Sequence, residues 1–288
     1  MPDKVRVEVE GRHLDLTNLD KVLYPQVGYT KGEVIDYYTR IAPVLLPHLA
    51  GRPLTRIRYP NGVDGNSFFE KNAPAGTPDW VRTVRLPVPG SSRGRETIDF
   101  IVVEELATLV WLANLAALEL HTPQWRVAAD GSPLNPDLLV IDLDPGPPAT
   151  LADCYEVALL VRDRLAADGL EPAAKTSGRK GMQLTAELSG EETADEISAY
   201  VKDVAEELAR LRPDLIVARM ARQLRPGKVF IDWSQNNAFK TTVAPFSLRA
   251  GALPTVSAPL TWDEVAEGTL TIADLTPSVV LDRVTAGS

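Results

Sequence analysis

The sequence has almost no cysteine and no long apolar run. Its single cysteine, Cys154, excludes a disulfide framework and a cysteine-rich zinc site, and it suits a reducing cytosol. No apolar stretch is long enough to span a bilayer, and the charged, alternating N-terminus MPDKVRVEVEG is not a signal peptide. These absences predict a cytoplasmic globular protein without a membrane partner.

Positive charge is also in deficit. The formal net charge is -9, whereas a generic nucleic-acid binder is usually basic. The basic residues are nevertheless clustered, in three groups: Arg52, Arg56 and Arg58; Lys175, Arg179 and Lys180; Arg219, Arg222, Arg225 and Lys228. A local basic groove on an acidic protein can still hold phosphates.

The first 130 residues predict a mixture of strands and helices. Val5, Val7 and Val9 alternate with charged residues and indicate a strand. A capping box at Thr30–Glu33 predicts a helix that runs to about Leu49. Further elements are predicted in this order: strands at 54–59, 81–86 and 98–103, then an apolar helix from about Glu104 to Leu120. A turn-rich break at 128–136 predicts the subdomain boundary.

The second half has a more regular pattern. A continuous apolar strand covers 138–143, and Thr150 can cap a helix that ends near Gly169. The remaining elements are predicted as strands at 172–176 and 182–188, a helix at 194–211, and strands at 215–219 and 229–233. The order strand-helix-strand-strand-helix-strand is typical of a ferredoxin-like or RNA-recognition-motif (RRM) fold. We therefore expect an open sheet with helices on one face.

Two aspartates at a strand end carry the clearest chemical signal. Asp142 and Asp144, in LVIDLDPG, are two residues apart and so project to one face. Their mutual repulsion is relieved by a divalent cation, and carboxylate oxygens suit magnesium or manganese. Asp232 ends another apolar strand, and three such carboxylates can hold two metals for in-line nucleotidyl transfer. The alternative is that these are ordinary strand-end aspartates.

Two basic segments can bind phosphate. The hairpin KTSGRKG (175–181) exposes backbone N–H groups and offers Ser177, Arg179 and Lys180 as donors, although its spacing is not that of a Walker loop. Downstream, Lys240 and Arg249 can bind triphosphate oxygens, Arg249 as a bidentate fork. The alternatives are a simple turn and a solvated surface loop.

Together these motifs resemble the polymerase domain of bacterial DNA ligase D, within the archaeo-eukaryotic primase superfamily. The resemblance is carried, in family order through almost the whole chain, by LTNLDKVLYP (16–25), TKGEVIDYY (30–38), SFFEKN (67–72), ELHTPQW (119–125), LLVIDLDPG (138–146), KTSGRKGMQL (175–184) and VFIDWSQNNAFKTTVAPFSLR (229–249). It implies an α+β primase-polymerase fold in a single domain, residues 1–288. Within that domain, an N-terminal α/β subdomain (1–130) that binds DNA ends would pack on an RRM-like catalytic subdomain (131–288).

The resemblance also implies an activity. It suggests a metal-dependent nucleotidyltransferase that fills or extends DNA ends in non-homologous end joining, with or without a template, and prefers ribonucleotides. Two ions, Mn²⁺ or Mg²⁺, would serve as cofactors. The implied partners are NTP or dNTP, DNA ends with a 5′-phosphate, and Ku together with a DNA ligase domain or protein, at the bacterial nucleoid.

Residue by residue, the resemblance assigns three sets of sites. The metal and catalytic residues would be Asp142, Asp144 and Asp232. The nucleotide-binding residues would be His121, Ser177, Lys180, Gln183, Lys240 and Arg249. The DNA-binding residues would be Asn18, Lys21 and Lys31 for the 5′-phosphate, with Phe68 and Phe69 stacking on template bases. Many superfamily members carry histidine where this chain has Gln183, and glutamine can donate a hydrogen bond but cannot carry charge.

Several simpler interpretations compete with these assignments. Lys21 and Lys31 can be plain surface lysines, one of the adjacent Phe68 and Phe69 can be core, and His121, at the end of the predicted helix, can be structural. A haloacid-dehalogenase-type phosphatase also has a strand-end DxD, but it wants Thr or Val where this chain has Gly146. A GT-A glycosyltransferase gives no reason for SGRKG followed by FIDW. A catalytically idle DNA-end-binding module would not need three strand-end aspartates.

Overall fold

The computed structural model describes residues 4–88, 94 and 96–286. The first half contains, in chain order, β1 (Lys4–Val9), β2 (Arg12–Thr17), β3 (Val22–Tyr24), β4 (Tyr29–Thr30), α1 (Lys31–Leu49), β5 (Thr55–Arg58), β6 (Phe68–Glu70), β7 (Thr83–Pro87), β8 (Thr97–Ile101), α2 (Leu106–Asn114), β9 (Ala117–Thr122), β10 (Trp125–Val127) and β11 (Pro133–Pro136). The second half contains β12 (Leu138–Pro145), α3 (Leu151–Ala167), β13 (Ala173–Thr176), β14 (Met182–Glu187), α4 (Ala194–Leu211), β15 (Ile216–Val217), β16 (Val229–Asp232), β17 (Thr242–Val243), β18 (Leu248–Arg249), β19 (Thr255–Val256), β20 (Pro259–Leu260), α5 (Trp262–Glu267) and α6 (Pro277–Ala286). The α+β class predicted from the sequence is confirmed.

A six-stranded sheet forms the second half, in the order β15-β16-β12-β14-β13-β20. Its central strands β16, β12, β14 and β13 are antiparallel to one another, whereas the edge strand β15 runs parallel to β16. With α3 after β12 and α4 after β14, this is the ferredoxin-like order that the sequence predicts. Both helices contact the sheet and each other, so they lie on one face of it. The short β15 and β20 extend its edges.

Helix α4 shows why several elements could be located from local signals. Thr193 accepts a hydrogen bond from the backbone N–H of Glu196, and the Glu196 side chain accepts from the Thr193 backbone, which is a complete capping box. The same reciprocal arrangement begins α1 at Thr30 and Glu33. A capping box satisfies the first free N–H groups of a helix with side chains from the same few residues. Both helices therefore begin where the sequence predicts them to begin.

The first half contains a second sheet, in the order β17-β9-β5-β6. Strand β17 comes from the second half of the chain, and Val243 pairs with His121 on β9. Beneath it α1 packs against α2. One hydrophobic core includes Leu45 on α1, Leu118 on β9 and Ile141 on β12, so burial of apolar surface is shared by both halves.

The predicted helix from Glu104 to Leu120 is wrong in its second part. Helix α2 ends at Asn114, Ala116 adopts a left-handed conformation (φ 56°), and residues 117–122 form β9. Strand β9 lies between β5 and β17, and Ala117, Leu118 and Leu120 are all buried. Leu118 and Leu120 share one face of this strand, and Glu119 and His121 share the other. Because only two residues separate the strand from the end of α2, its leucines resemble the continuation of that apolar helix.

The break predicted at 128–136 contains a turn and a strand. The backbone N–H of Ala128 donates to the carbonyl of Ser132, and β11 then pairs antiparallel with β10. A second, smaller apolar cluster lies beside this segment and includes Leu86, Phe100 and Val127. Among the described residues, no helix has both the length and the apolar character needed to cross a membrane.

Candidate active site

The strand register brings the predicted metal ligands to one face of the six-stranded sheet. Asp142 on β12 lies directly opposite Asp232 on β16, and on its other side it lies opposite Gln183 on β14. Residues directly opposite one another project to the same face, and so do residues two apart on one strand. Asp142, Asp144 and Asp232 therefore share a face. The intervening Ile141 and Leu143 join the core with α3, so the aspartates lie on the side away from the helices.

The three carboxylates are adjacent but do not form a closed cluster. Among residues 4–88, 94 and 96–286, no three acidic, histidine or cysteine side chains are grouped closely enough to hold a metal ion. The Asp232 carboxylate instead accepts hydrogen bonds from Ser234, at 3.1 Å from its backbone nitrogen and 2.5 Å from its hydroxyl. A third bond, of 2.8 Å, comes from the Gln235 side-chain amide.

The chemistry of this donor set fits a divalent cation. The pKa of Asp142 is raised to about 7 by burial and by the Asp144 carboxylate, with a smaller effect from Asp232. Negative charge is therefore concentrated where the protein gives it little compensation. Carboxylate oxygens are the ligands that magnesium and manganese prefer, and a cation here would relieve the repulsion.

The hairpin between β13 and β14 lies against the aspartates. The Ser177 hydroxyl accepts from the backbone N–H of Gly181 at 3.2 Å, and Lys180 Nζ lies 3.9 Å from Asp144 Oδ1. A Cβ at Gly181 would lie 2.1 Å from the Leu143 carbonyl oxygen, so only glycine permits this approach. The hairpin thus presents an exposed lysine beside the carboxylates.

A buried glutamate, which the sequence-based analysis missed, organises the neighbouring basic residues. Glu119 on β9 is almost fully buried and accepts hydrogen bonds from His121 Nε2 at 3.0 Å, from Arg179 at 2.9 Å and from the backbone N–H of Ala250 at 3.0 Å. Arg249 Nε lies 3.6 Å from the same carboxylate. This one carboxylate therefore links β9, the Ser177–Gly181 hairpin and β18.

Electrostatics stabilise the charged form of Glu119. Burial by itself would raise its pKa, but the hydrogen bond from His121 and the positive charge of Arg249 lower it to about 2. Burial also lowers the pKa of His121, against the raising effect of Glu119. Glu119 and His121 are two residues apart on a strand, so they share a face; the erroneous helix prediction concealed this signal.

Gln183 and Lys240 have protein partners in this structure. The Gln183 amide contacts Asp142 and Lys175, and the side chain is nearly fully buried. Lys240 Nζ donates to the Ser234 hydroxyl, which places it next to the turn that follows Asp232. Lys240 therefore lies near Asp232, whereas Arg249 lies beside Glu119.

Comparison with known proteins identifies the family. Residues 30–288 match the family model of the LigD primase-polymerase domain. The chain belongs to this family. The predicted resemblance, the α+β fold and the class of enzyme, a primase-type nucleotidyltransferase, are thereby confirmed.

Individual relatives support the assignment to the LigD polymerase family. The chain is 44% identical over 269 residues to the multifunctional non-homologous end joining protein LigD of Mycolicibacterium smegmatis, covering 93% of this chain and 34% of that protein. It is 35% identical over 272 residues to the bifunctional LigD of Bacillus subtilis, covering 94% and 42%. The polymerase domain of Mycobacterium tuberculosis ligase D, solved in complex with DNA, superposes with a TM-score of 0.90 at 42% identity, covering 95% of this chain and 94% of that one. The chain spans about a third of the length of its mycobacterial relatives.

The residues that the LigD resemblance assigns to a 5′-phosphate site lie close together. Lys31 is buried, and its Nζ donates to the Thr17 carbonyl at 2.5 Å; burial, with Lys21 nearby, lowers its pKa to about 8. Lys21 Nζ donates to Asn61 Oδ1 at 3.1 Å, and Asn18 has a left-handed backbone (φ 53°). The alternative that Lys31 is a plain surface lysine is therefore wrong.

The two adjacent phenylalanines lie on β6, the edge strand of the second sheet. Phe68 is 46% exposed and Phe69 is 59% exposed. The alternative that one of them belongs to the core is wrong. Two exposed aromatic rings on an edge strand of the LigD-type fold are available to stack on a planar partner.

Proposed function

We propose that this domain adds nucleotides, with a preference for ribonucleotides, to the 3′ ends of broken DNA during non-homologous end joining, with or without a template. The observation that carries the proposal is the alignment of Asp142 opposite Asp232, with Asp144 on the same face beside Lys180. Support comes from relatives named for non-homologous end joining and from a similar domain described in complex with DNA.

Asp142, Asp144 and Asp232 would hold two divalent ions, Mn²⁺ or Mg²⁺, because all their donor atoms are carboxylate oxygens. Such ions, when bound, activate the attacking hydroxyl and neutralise charge on the transferred phosphate. Asp142 and Asp144 share a strand face, and the Asp232 oxygens that would contact a metal already accept hydrogen bonds from Ser234 and Gln235. Lys240 contacts Ser234, so its positive charge lies beside the hydrogen bonds that Asp232 accepts.

The nucleotide would bind between the hairpin and β18. Ser177 and Lys180 would contact its phosphates from one side and Lys240 from the other. Glu119 approaches Arg249 at Nε, which leaves the two terminal nitrogens of its guanidinium for phosphate oxygens. His121 bonds Glu119 through Nε2, which leaves Nδ1 free to contact the sugar. A hydrogen bond to the 2′-hydroxyl there would favour ribonucleotides.

The DNA would be held by the first half of the chain. Asn18, Lys21 and Lys31 would bind the 5′-phosphate of a gapped or recessed end, because such a phosphate is nearly dianionic and two lysines can grip it. Phe68 and Phe69 would stack on template bases. The partners would be Ku and a DNA ligase domain or protein, in the cytoplasm at the nucleoid.

The decisive experiment measures incorporation of labelled UTP into gapped, 5′-phosphorylated DNA with Mn²⁺. Asp144→Asn should abolish incorporation, as should Asp142→Ala and Asp232→Ala, while DNA binding is largely retained. Asp163→Asn on α3, which makes the same chemical change at an exposed aspartate, should behave like the parent. A parent protein that binds DNA ends but gives no metal-dependent incorporation would instead be an idle end-binding module.

A further inference from the structure

Gln183 connects a buried lysine to the central aspartate of the site. Its Nε2 donates to Asp142 Oδ1 at 3.0 Å, and its Oε1 accepts from Lys175 Nζ at 2.6 Å. Lys175 also donates to the Ser257 hydroxyl at 2.8 Å. The strand register produces this arrangement, since Asp142 pairs with Gln183 across β12 and β14, and Gln183 pairs with Lys175 across β14 and β13.

The chemistry of the two partners sets the orientation of the Gln183 amide. Lys175 Nζ donates to Gln183 and to Ser257, and its charged form has only donors, so the amide oxygen of Gln183 faces Lys175. The amide nitrogen is then left to face Asp142, where a carboxylate can only accept. Lys175 therefore determines, through Gln183, that Asp142 Oδ1 receives a hydrogen bond. The second oxygen, Oδ2, remains for another partner.

The charges of Lys175 and Asp142 also depend on each other. Within the part of the chain that the structure describes, the hydrogen-bond partners of Lys175 Nζ are the neutral Gln183 Oε1 and Ser257 hydroxyl, although this side chain is only 4% exposed. A buried ammonium without a counter-charge is costly. The negative charge that can balance Lys175 through these hydrogen bonds is Asp142, which is separated from Lys175 by the Gln183 amide. Lys175, Gln183 and Asp142 therefore act as one unit.

We propose that Lys175 and Gln183 are positioning residues that fix the Asp142 carboxylate so that Oδ2 is presented to a divalent cation. The inference rests on the proposed function and deepens it, because it assigns roles to two residues of the same site. It gives Gln183 a role toward the aspartate in place of the direct nucleotide contact expected from its motif. Removing a hydrogen bond behind a metal ligand typically weakens metal binding by about 10–100-fold.

The test measures Mn²⁺ binding directly, by calorimetry or by electron paramagnetic resonance of free Mn²⁺, on nucleotide-free protein. Gln183→Met keeps the side-chain volume but removes both hydrogen bonds, and it should raise the Mn²⁺ dissociation constant by about 10-fold or more. Gln124→Met is the matched control, since Gln124 is equally buried but donates to Thr242. Circular dichroism and thermal melting check that each variant folds. If Gln183→Met does not fold, Gln183→Asn, whose side chain is too short to reach both partners, takes its place.

A double-mutant cycle separates positioning from simple charge. Lys175→Met removes a nearby cation, which alone should favour Mn²⁺ binding in any background. If Lys175 acts through Gln183, Lys175→Met in the parent also disturbs the position of Asp142, whereas in the Gln183→Met background it removes only a charge. The change in the Mn²⁺ dissociation constant caused by Lys175→Met should therefore be less favourable in the parent than in the Gln183→Met background, by about threefold or more. Equal effects in both backgrounds would overturn the role of Lys175.

A further variant distinguishes failure of the positioning role from failure of the metal site. Asp144→Asn should weaken Mn²⁺ binding strongly. If it does so while Gln183→Met binds Mn²⁺ like the parent, the positioning role is refuted and the proposed function stands. If Asp144→Asn binds Mn²⁺ as tightly as the parent, the metal site itself, and with it the proposed function, is refuted.

Discussion

Glu119 offers the sharpest test of the electrostatic organisation of the site. Glu119→Gln keeps the size of the side chain but removes the charge that His121, Arg179 and Arg249 share. A pKa lowered from 4.5 to about 2 corresponds to about 3 kcal/mol of stabilisation, at about 1.4 kcal/mol per tenfold change in acid dissociation. A similar value, about 3–5 kcal/mol, is typical when one partner of a buried ion pair is removed.

The pH dependence follows from the direction of this shift. Because folding lowers the pKa of Glu119, the stabilisation is fully present above about pH 4.5 and is lost as the pH falls toward 2. At pH 7 the free energy of unfolding of the variant should therefore be about 3 kcal/mol lower than that of the parent. Since about 1 kcal/mol shifts the melting temperature by about 2–4 °C in chains of this order of size, the expected decrease is roughly 6–12 °C.

The assay is urea and thermal unfolding of parent and variant at pH 7, repeated between pH 5 and pH 3. Glu207→Gln is the matched control, because Glu207 pairs with Arg164 at the surface and its loss should cost less than about 1 kcal/mol. The reasoning is refuted if Glu119→Gln melts within about 2 °C of the parent at pH 7, or if the difference between them does not shrink as the pH falls.

Two further predictions concern substrates. Single-nucleotide incorporation should be more efficient with UTP than with dTTP, because a site that hydrogen-bonds the 2′-hydroxyl leaves its polar group unpaired with the deoxy analogue; equal efficiency would contradict this. Binding at fixed salt should be tighter to recessed DNA with a 5′-phosphate than with a 5′-hydroxyl, and Lys21→Ala should reduce this difference without changing nucleotide binding. If the unmodified protein binds both ends equally, Lys21 and Lys31 do not form a phosphate pocket.

Elements with complete local signals were predicted closely. The helix at 194–211 agrees with the structure at both ends, because its one-sided apolar pattern lies within the element itself. The strand at 138–143 was found because a continuous apolar run precedes a turn. Strand β9 was missed because its leucines directly follow the apolar helix α2, and its conformation depends on pairing with β5 and β17.

The amino-acid sequence by itself determined the spacing of Asp142 and Asp144 and the helix caps, because each depends on residues within a few positions of one another. It also determined the glycine-rich hairpin at 177–181 for the same reason. Only the tertiary structure decided that Glu119 contacts Arg179 and Arg249, which lie 60 and more residues away in the chain. It also decided that Gln183 lies between Lys175 and Asp142. The contacts of Glu119 with Arg179 and of Gln183 with Asp142 join segments that are distant in the chain, and the register that aligns them follows from the packing of the whole sheet against its helices.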